Sequence, residues 1–141
     1  MSQSDHTELL SQVRNGDRQA LAKAITVIEN TGIAFEIEDG SHAQVIGITG
    51  APGVGKSTTV DALIKLLRER NFSVAVLAVD PSSPITGGAL LGDRIRLTDH
   101  FTDSNVFIRS LATRGHLGGL SASTKAVLQL TQSAKFDFII V

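Results

Sequence analysis

Apolar residues recur at helical spacing in two stretches near the start of the chain. These stretches contain Leu9, Leu10, Val13, Leu21, Ala24, Ile25 and Ile28. Asn15-Gly16-Asp17 between them has the composition of a turn, Asp17 can cap the second helix, and Thr31-Gly32 supplies a stop for it. The pattern predicts an N-terminal helical hairpin, and we assign residues 1–40 to this hairpin and a linker.

Farther along the chain, short apolar runs have the composition of strands covered on both faces. They occupy residues 45–49, 74–79, 105–109 and 136–141. Helical patterns at 55–70 and 117–134 separate the first run from the second and the third from the fourth. Alternating strands and helices predict an α/β domain over residues 41–141, with a mainly parallel sheet and helices on both faces.

The last apolar run extends to Val141, the final residue of the sequence. Natural termini are usually polar and lie outside the core, so we expect a domain that is incomplete at this end. The strand at 136–141 is expected to lack its parallel neighbour and its covering helix. It would then expose an apolar face and an open edge.

Composition narrows the classes of partner. Lys+Arg 13 against Asp+Glu 14 gives a formal net charge of −1, which provides no overall positive field for nucleic acid or an anionic membrane. The cysteine count is 0, so disulfides and thiol chemistry are excluded. The sequence lacks a secretory signal pattern and a membrane-spanning run, so we expect a cytoplasmic chain without nucleic-acid or membrane partners.

A glycine-rich segment between the first predicted strand and the helix at 55–70 fits G-x-x-x-x-G-K-[ST] at every fixed position. It reads Gly50-Ala51-Pro52-Gly53-Val54-Gly55-Lys56-Ser57, followed by Thr58. Glycines allow backbone amides to turn inward around a phosphate chain, and the positive end of the helix faces the same phosphates. Lys56 supplies charge for the β and γ oxygens, and the Ser57 hydroxyl can bind Mg²⁺. The motif predicts a nucleotide site from Gly50 to Thr58.

Two acidic residues are candidate metal ligands. Asp80 follows the strand at 74–79, at the carboxyl end where ligands of open α/β sheets bind. Its structural alternative is an acid that caps the turn after that strand. Asp93 lies in a long glycine-containing stretch from 81 to 104, and its alternative is a solvated loop acid.

Other polar residues give weaker signals. Arg114 could contact phosphate or a partner, and His116 could act as a base or ligand, although a structural or surface role is favoured for His116. The histidines are His6, His42, His100 and His116. They lack the spacing of a zinc site, and no G-x-S-x-G hydrolase motif is present.

Four segments together resemble the MeaB/ArgK-type GTPase family, the metallochaperones of methylmalonyl-CoA mutase. They are the glycine-rich motif with its threonines, LAVDPSSP at 77–84, TGGALLGDR at 86–94 and FIRSLATRGHLGG at 107–119. The resemblance extends back through Gly16-Asp17-Arg18 and the predicted helix after it, so it covers nearly all of the chain.

The resemblance implies a P-loop NTPase fold of the signal-recognition-particle-like class that binds GTP and GDP with Mg²⁺ and hydrolyses GTP slowly. It implies Ser57, Asp80 and Asp93 as metal-site residues and Lys56 and Asp93 as catalytic residues, with Asp93 in a segment that responds to the γ-phosphate. The implied partner is an adenosylcobalamin-dependent acyl-CoA mutase, and the complete protein is expected to form a homodimer.

Relatives continue into a Glu-Thr-x-Gly switch, an Asn-Lys-x-Asp guanine motif and a dimerisation arm, none of which is in this sequence. The residues present therefore do not distinguish guanine from adenine, and little turnover is expected from this chain alone. Two alternatives stay open: an ATP-dependent kinase or ATPase linked to arginine/ornithine transport, and a non-catalytic fold fragment.

Overall fold

The structure is a computed structural model that describes residues 3–32, 35, 43–48, 56–80, 100, 102–112 and 122–141. Its helices are α1 (Gln3–Arg14), α2 (Arg18–Thr31), α3 (Lys56–Glu69) and α4 (Ala122–Gln132). Its strands are β1 (Gln44–Ile46), β2 (Val74–Asp80), β3 (Val106–Ala112) and β4 (Phe138–Ile140). The α/β class predicted from the sequence is confirmed.

The strands form a parallel sheet in the order β1-β4-β2-β3. One row across the sheet joins Val45, Ile139, Ala75 and Phe107 as successive neighbours. Since side chains alternate along each strand, such a row shares one face of the sheet. The topology and the helices around it are consistent with a P-loop NTPase fold.

Each face of the sheet has its own apolar core. On one face, the hairpin and α4 bury residues such as Leu21, Ile25 and Leu130 against Leu77 and Ile139. On the other face, α3 packs its buried positions onto the sheet. The buried residues of this second core are Ile64, Leu67, Val74, Val76 and Ile140. Helices therefore cover both faces, as predicted.

The N-terminal hairpin forms as predicted. The Asp17 carboxylate accepts a hydrogen bond from the Ala20 amide at 3.1 Å and caps α2. Gly16 and Gly32 have φ values of 90° and 70°, which favour glycine, and Gly32 terminates α2. Because the hairpin shares its core with α4 and the sheet, it is packed against the α/β region. The division of the chain at residue 40 stays a prediction.

Arg18 ties the hairpin to the turn that leads into β4. Its Nη1 donates to the Ala134 carbonyl at 2.8 Å, and its guanidinium carbon lies 3.7 Å from the centre of the Phe136 ring. One side chain therefore makes a charge-assisted hydrogen bond and a cation–π contact with the same turn.

The expected position of the last strand is wrong. β4 lies between β1 and β2, with a parallel neighbour on each side, and Ile139 and Ile140 are buried on opposite faces. The order of strands along a chain does not fix their order in a sheet, because crossover connections can return a strand between earlier ones. The apolar face and open edge expected at β4 are accordingly not found there.

The first apolar run also differs from its prediction. Gln44 is exposed and Val45 keeps 41% of its surface accessible, so β1 is not covered on both faces. β1 is at the end of the sheet order, with β4 as its neighbour, and an edge position provides less cover than a central one. β3 is longer than predicted, extending to Ala112. Residues 33–34, 36–40 and 117–121 of the predicted linker and last helix lie outside the described residues.

Replacing Arg18 by alanine is expected to lower the free energy of unfolding by about 2 kcal/mol, since both contacts with the 134–136 turn are lost. Arg18→Lys keeps the charge and is expected to lose less. Denaturant unfolding followed by circular dichroism measures the difference. The exposed Arg70→Ala is the control, and an Arg18→Ala chain as stable as this control would contradict the assigned role.

Candidate nucleotide-binding site

The amino-terminal end of α3 and the carboxyl ends of the strands lie at the same edge of the sheet. The opposite end of α3 is fixed near the starts of β2 and β3: Arg68 Nε donates to Asp103 Oδ2 at 2.7 Å, and Asn105 O accepts from the Val74 amide at 2.9 Å. α3 has 14 residues and β2 has 7, so both span about 20 Å. The start of α3 therefore reaches the carboxyl edge.

The residues that precede the glycine-rich motif lie at this edge. Beyond β1, the Ile48 amide donates to the Val141 carbonyl, and the Val141 amide donates to the Ile46 carbonyl, both at 2.9 Å. The parallel pairing of β1 with β4 thus continues to within two residues of Gly50. The next described residue is Lys56, the first residue of α3.

The structure places part of the predicted site at this edge. Lys56 and Ser57 begin α3, Thr58 follows and is exposed, and Asp80 is the last residue of β2. The backbone thus brings the end of the phosphate-binding motif and one candidate metal ligand to one edge of the sheet. Gly50, Ala51, Pro52, Gly53, Val54, Gly55 and Asp93 lie outside the described residues, as do Arg114 and His116.

A polar cluster on α3 was not predicted from the sequence. His100 Nε2 lies 2.7 Å from Asp61 Oδ1, and Lys65 Nζ lies 3.0 Å from Asp61 Oδ2. Hydrogen bonds from Lys65, the larger cause, and from His100 hold the pKa of the Asp61 carboxyl below its ordinary value. The Asp61–Lys65 spacing of four residues is a helix signal visible in the sequence. His100 is 39 residues from Asp61, so no local pattern could have joined them.

A second polar contact joins α3 to the residues just before β3. The Asp103 carboxylate accepts from Arg68 and from the Asn105 amide, and these hydrogen bonds, with Arg68 the stronger cause, lower the pKa of Asp103. Arg68 also donates to the Phe72 carbonyl at 3.0 Å. Arg68 therefore connects α3 to the turn that follows it and to the residues just before β3.

The donor types at the carboxyl edge suit a hard cation. A serine hydroxyl and an aspartate carboxylate are oxygen ligands, which Mg²⁺ prefers. Within the described ranges, no group of three or more histidine, cysteine or acidic residues could hold a metal. Water and bound phosphate oxygens would complete the shell of a magnesium ion held by these two residue types. In the part of the chain that the structure describes, no helix is long and apolar enough to cross a membrane.

Comparison with known proteins identifies the family. The family model described as "Methylmalonyl Co-A mutase-associated GTPase MeaB" matches residues 21–141. The chain belongs to this family. A relative from Pyrococcus horikoshii is 49% identical over 140 residues, which are 95% of this chain and 44% of the relative. The chain thus spans less than half the length of this relative.

Two further relatives carry informative names. The GTPase ArgK of Escherichia coli is 38% identical over 144 residues, covering 95% of this chain and 44% of that protein. The fused isobutyryl-CoA mutase of Cupriavidus metallidurans is 42% identical over 142 residues, covering 94% of this chain and 13% of that protein. A region similar to this chain therefore occurs both in a protein named as a GTPase and within a fused mutase.

The Asp103–Arg68 contact is expected to make stability sensitive to acid. Because the folded-state pKa of Asp103 is lowered, its stabilisation is present above the unfolded value of about 3.9 and is lost as pH falls through the lower folded value. Asp103→Asn is expected to lower the free energy of unfolding by about 1 kcal/mol at pH 7. This difference from the parent chain should become smaller below about pH 4.

Thermal unfolding of both chains between neutral pH and about pH 2.5 measures this narrowing. Glu69→Gln changes an exposed acid on the same helix and serves as the control. A difference between Asp103→Asn and the parent that stays constant across this range would show that the carboxylate charge is not the cause.

Proposed function

We propose that this chain binds GTP and GDP with Mg²⁺ at the carboxyl edge of its sheet, as the nucleotide-binding part of a GTPase that assists an adenosylcobalamin-dependent acyl-CoA mutase. The complete G-x-x-x-x-G-K-[ST] motif, ending in the first turn of α3 at that edge, carries the proposal. Membership of the family supports guanine as the base. A homodimer of the complete protein and a cytoplasmic location also belong to this proposal and rest on the resemblance.

Phosphate binding is assigned to the segment from Gly50 to Thr58. Its glycines permit the backbone amides to point toward a phosphate chain, and the amino-terminal end of α3 adds partial positive charge. The Lys56 ammonium contributes a full charge to the β and γ oxygens. Because several amides and one lysine share the phosphate charge, binding depends on the position of the helix start as well as on the loop.

Metal binding is assigned to Ser57, Asp80 and Asp93. The end of β2 and the start of α3 share one edge, which supports two of these three residues as members of one site. When bound, Mg²⁺ would supply charge that neutralises the β and γ phosphate oxygens. Ser57 and Asp80 would hold the cation, whereas Asp93 would connect it to the 81–104 stretch.

Hydrolysis is assigned to positioning and charge stabilisation. Phosphoryl transfer requires little covalent chemistry from a protein, so Lys56 would act by stabilising negative charge on the transferred phosphate. Asp93 is the proposed link between the nucleotide state and the segment around it. These roles leave the protein unmodified through the reaction, as expected of a nucleotide-controlled switch.

The proposed partner is supported by the fused relative. A region 42% identical to this chain occupies part of a protein named as an isobutyryl-CoA mutase. Placing two proteins in one polypeptide raises their effective concentration, which benefits components that act together. The family description also names a methylmalonyl-CoA mutase. Both mutases act on acyl-CoA substrates, so we propose an enzyme of that class as the partner.

Replacement of Lys56 by alanine is expected to weaken GDP binding in the presence of Mg²⁺ by about tenfold to a hundredfold, because a charge-assisted contact with phosphate is lost. Titration calorimetry of the parent and variant chains measures the affinities. Lys125→Ala removes an exposed lysine from α4, on the opposite face of the sheet, and is expected to bind GDP like the parent.

Equal affinity in the parent and Lys56→Ala chains would reject the phosphate site. Competition by ADP, measured on the complete protein, distinguishes the bases: guanine specificity predicts that ADP displaces GDP far less effectively than GTP does. Displacement by ADP at the same concentration as GTP would instead favour the alternative of an ATP-dependent kinase or ATPase.

Association with the mutase is expected to depend on the nucleotide. Analytical ultracentrifugation of the complete protein with the adenosylcobalamin-dependent acyl-CoA mutase of the same organism should show a complex. Its affinity should change at least severalfold between GDP and a non-hydrolysable GTP analogue, because each nucleotide selects a different state of the protein. No complex with either nucleotide would reject the partner while leaving nucleotide binding intact.

A further inference from the structure

We propose that His100 is a positioning residue for the nucleotide site and acts through Asp61 to hold the amino-terminal half of α3. The proposal rests on the proposed function only for its effect on nucleotide binding. Its structural part, the restraint of α3, stands on contacts within the described residues.

The contact between His100 and Asp61 is short and well enclosed. His100 is only 7% exposed, and its Nε2 lies 2.7 Å from Asp61 Oδ1. An ionised carboxylate only accepts hydrogen bonds, so the histidine nitrogen donates. The second carboxylate oxygen is used by Lys65 at 3.0 Å. Asp61 is thus held by one donor from its own helix and one from a different part of the chain.

His100 is itself attached to the start of β3. The Asp103 amide donates to the His100 carbonyl at 3.1 Å, and the Val106 amide donates to the Asp103 carbonyl at 3.1 Å. Two successive backbone hydrogen bonds therefore connect His100 to the first residue of a strand. Through this connection the histidine anchors α3 to the sheet.

His100 and Asp103, which both precede β3, contact α3 at two different points. Asp103 binds Arg68 near the carboxyl end of the helix, whereas His100 binds Asp61, seven residues earlier. Seven residues of α-helix span about 10 Å, so the two contacts act on different halves of α3. The Arg68 contact fixes the end remote from the nucleotide site, and the His100 contact fixes the half that leads to it.

Asp61 follows Ser57 by four residues, about one helical turn. A restraint on Asp61 therefore limits motion of the turn that begins the helix. The buried residues of α3, Ile64 and Leu67, lie closer to its other end, and in the amino-terminal half Val60 packs against the same core only partly buried. Functional groups must be held within fractions of an ångström to act well, so loss of this restraint should weaken phosphate and metal binding.

Amide hydrogen exchange of the nucleotide-free chain tests the restraint directly. His100→Leu removes the donor and is expected to raise exchange about tenfold at residues 59–63, with less than a twofold change at residues 66–69. His100→Gln can still donate a hydrogen bond and is expected to restore most of the protection. Arg68→Leu, the matched control, is expected to affect residues 66–69 instead.

Calorimetry with GDP and Mg²⁺ tests the functional consequence at a temperature where all chains are folded. His100→Leu is expected to weaken GDP binding about tenfold. The affinity of His100→Gln should lie within about threefold of the parent, and that of Arg68→Leu within about twofold. If His100 were only structural, its replacement would lower thermal stability without these differences in GDP affinity among the variants.

Unchanged exchange at residues 59–63 in His100→Leu would overturn the proposed restraint. Unchanged GDP affinity in His100→Leu, or an equal loss in Arg68→Leu, would overturn the positioning role. A parent chain that does not bind GDP would reject the proposed function and with it the functional half of this inference. The exchange measurement would then still decide whether His100 restrains α3.

Discussion

The parallel pairing of β4 with both of its neighbours is the constraint on which the site depends. β1 and β2 do not pair with each other, so β4 sets the distance between the strand that precedes the glycine-rich motif and the strand that ends in Asp80. Neighbouring strands are about 4.8 Å apart, which places β1 and β2 about 10 Å from each other. Burial of Ile139 and Ile140 in the two separate cores holds β4 in this central place.

Polar contacts brace the opposite, amino edge of the sheet. The Asp137 carboxylate accepts from the Ser73 amide at 2.8 Å and from its hydroxyl at 3.1 Å, joining the starts of β4 and β2. Arg18 binds the turn just before β4, so the hairpin contributes to the same bracing. Because these stabilising contacts lie at the amino edge, the residues at the carboxyl edge are not required for them and can be chosen for binding a ligand. This separation is usual in open parallel sheets, where ligands bind at the carboxyl ends of the strands.

Features encoded by neighbouring residues could be predicted from the sequence. The Asp17 cap, the Gly32 stop and the helical pattern at 55–70 are local, and each is found where its pattern indicated. The central position of β4 and the exposure of Val45 depend on strand order, which residue patterns do not specify. The family resemblance linked distant motifs to one another, but residue chemistry alone left Asp80 open between a metal ligand and a turn cap.

Apolar packing and polar contacts constrain α3 in different ways. Ile64 and Leu67 keep the helix close to the sheet, but contacts between apolar side chains are not directional and tolerate small rotations or sliding. Hydrogen bonds weaken steeply when misaligned, so Asp61 and Arg68 restrict the rotation and the position of the helix along its axis. The proposed phosphate site needs the polar restraint at Asp61, in the half of α3 that leads to it, because each amide must point at an oxygen. In the proposed site the glycine-rich motif would provide donors to phosphate, and residues far from it in the sequence keep the helix that follows it in place.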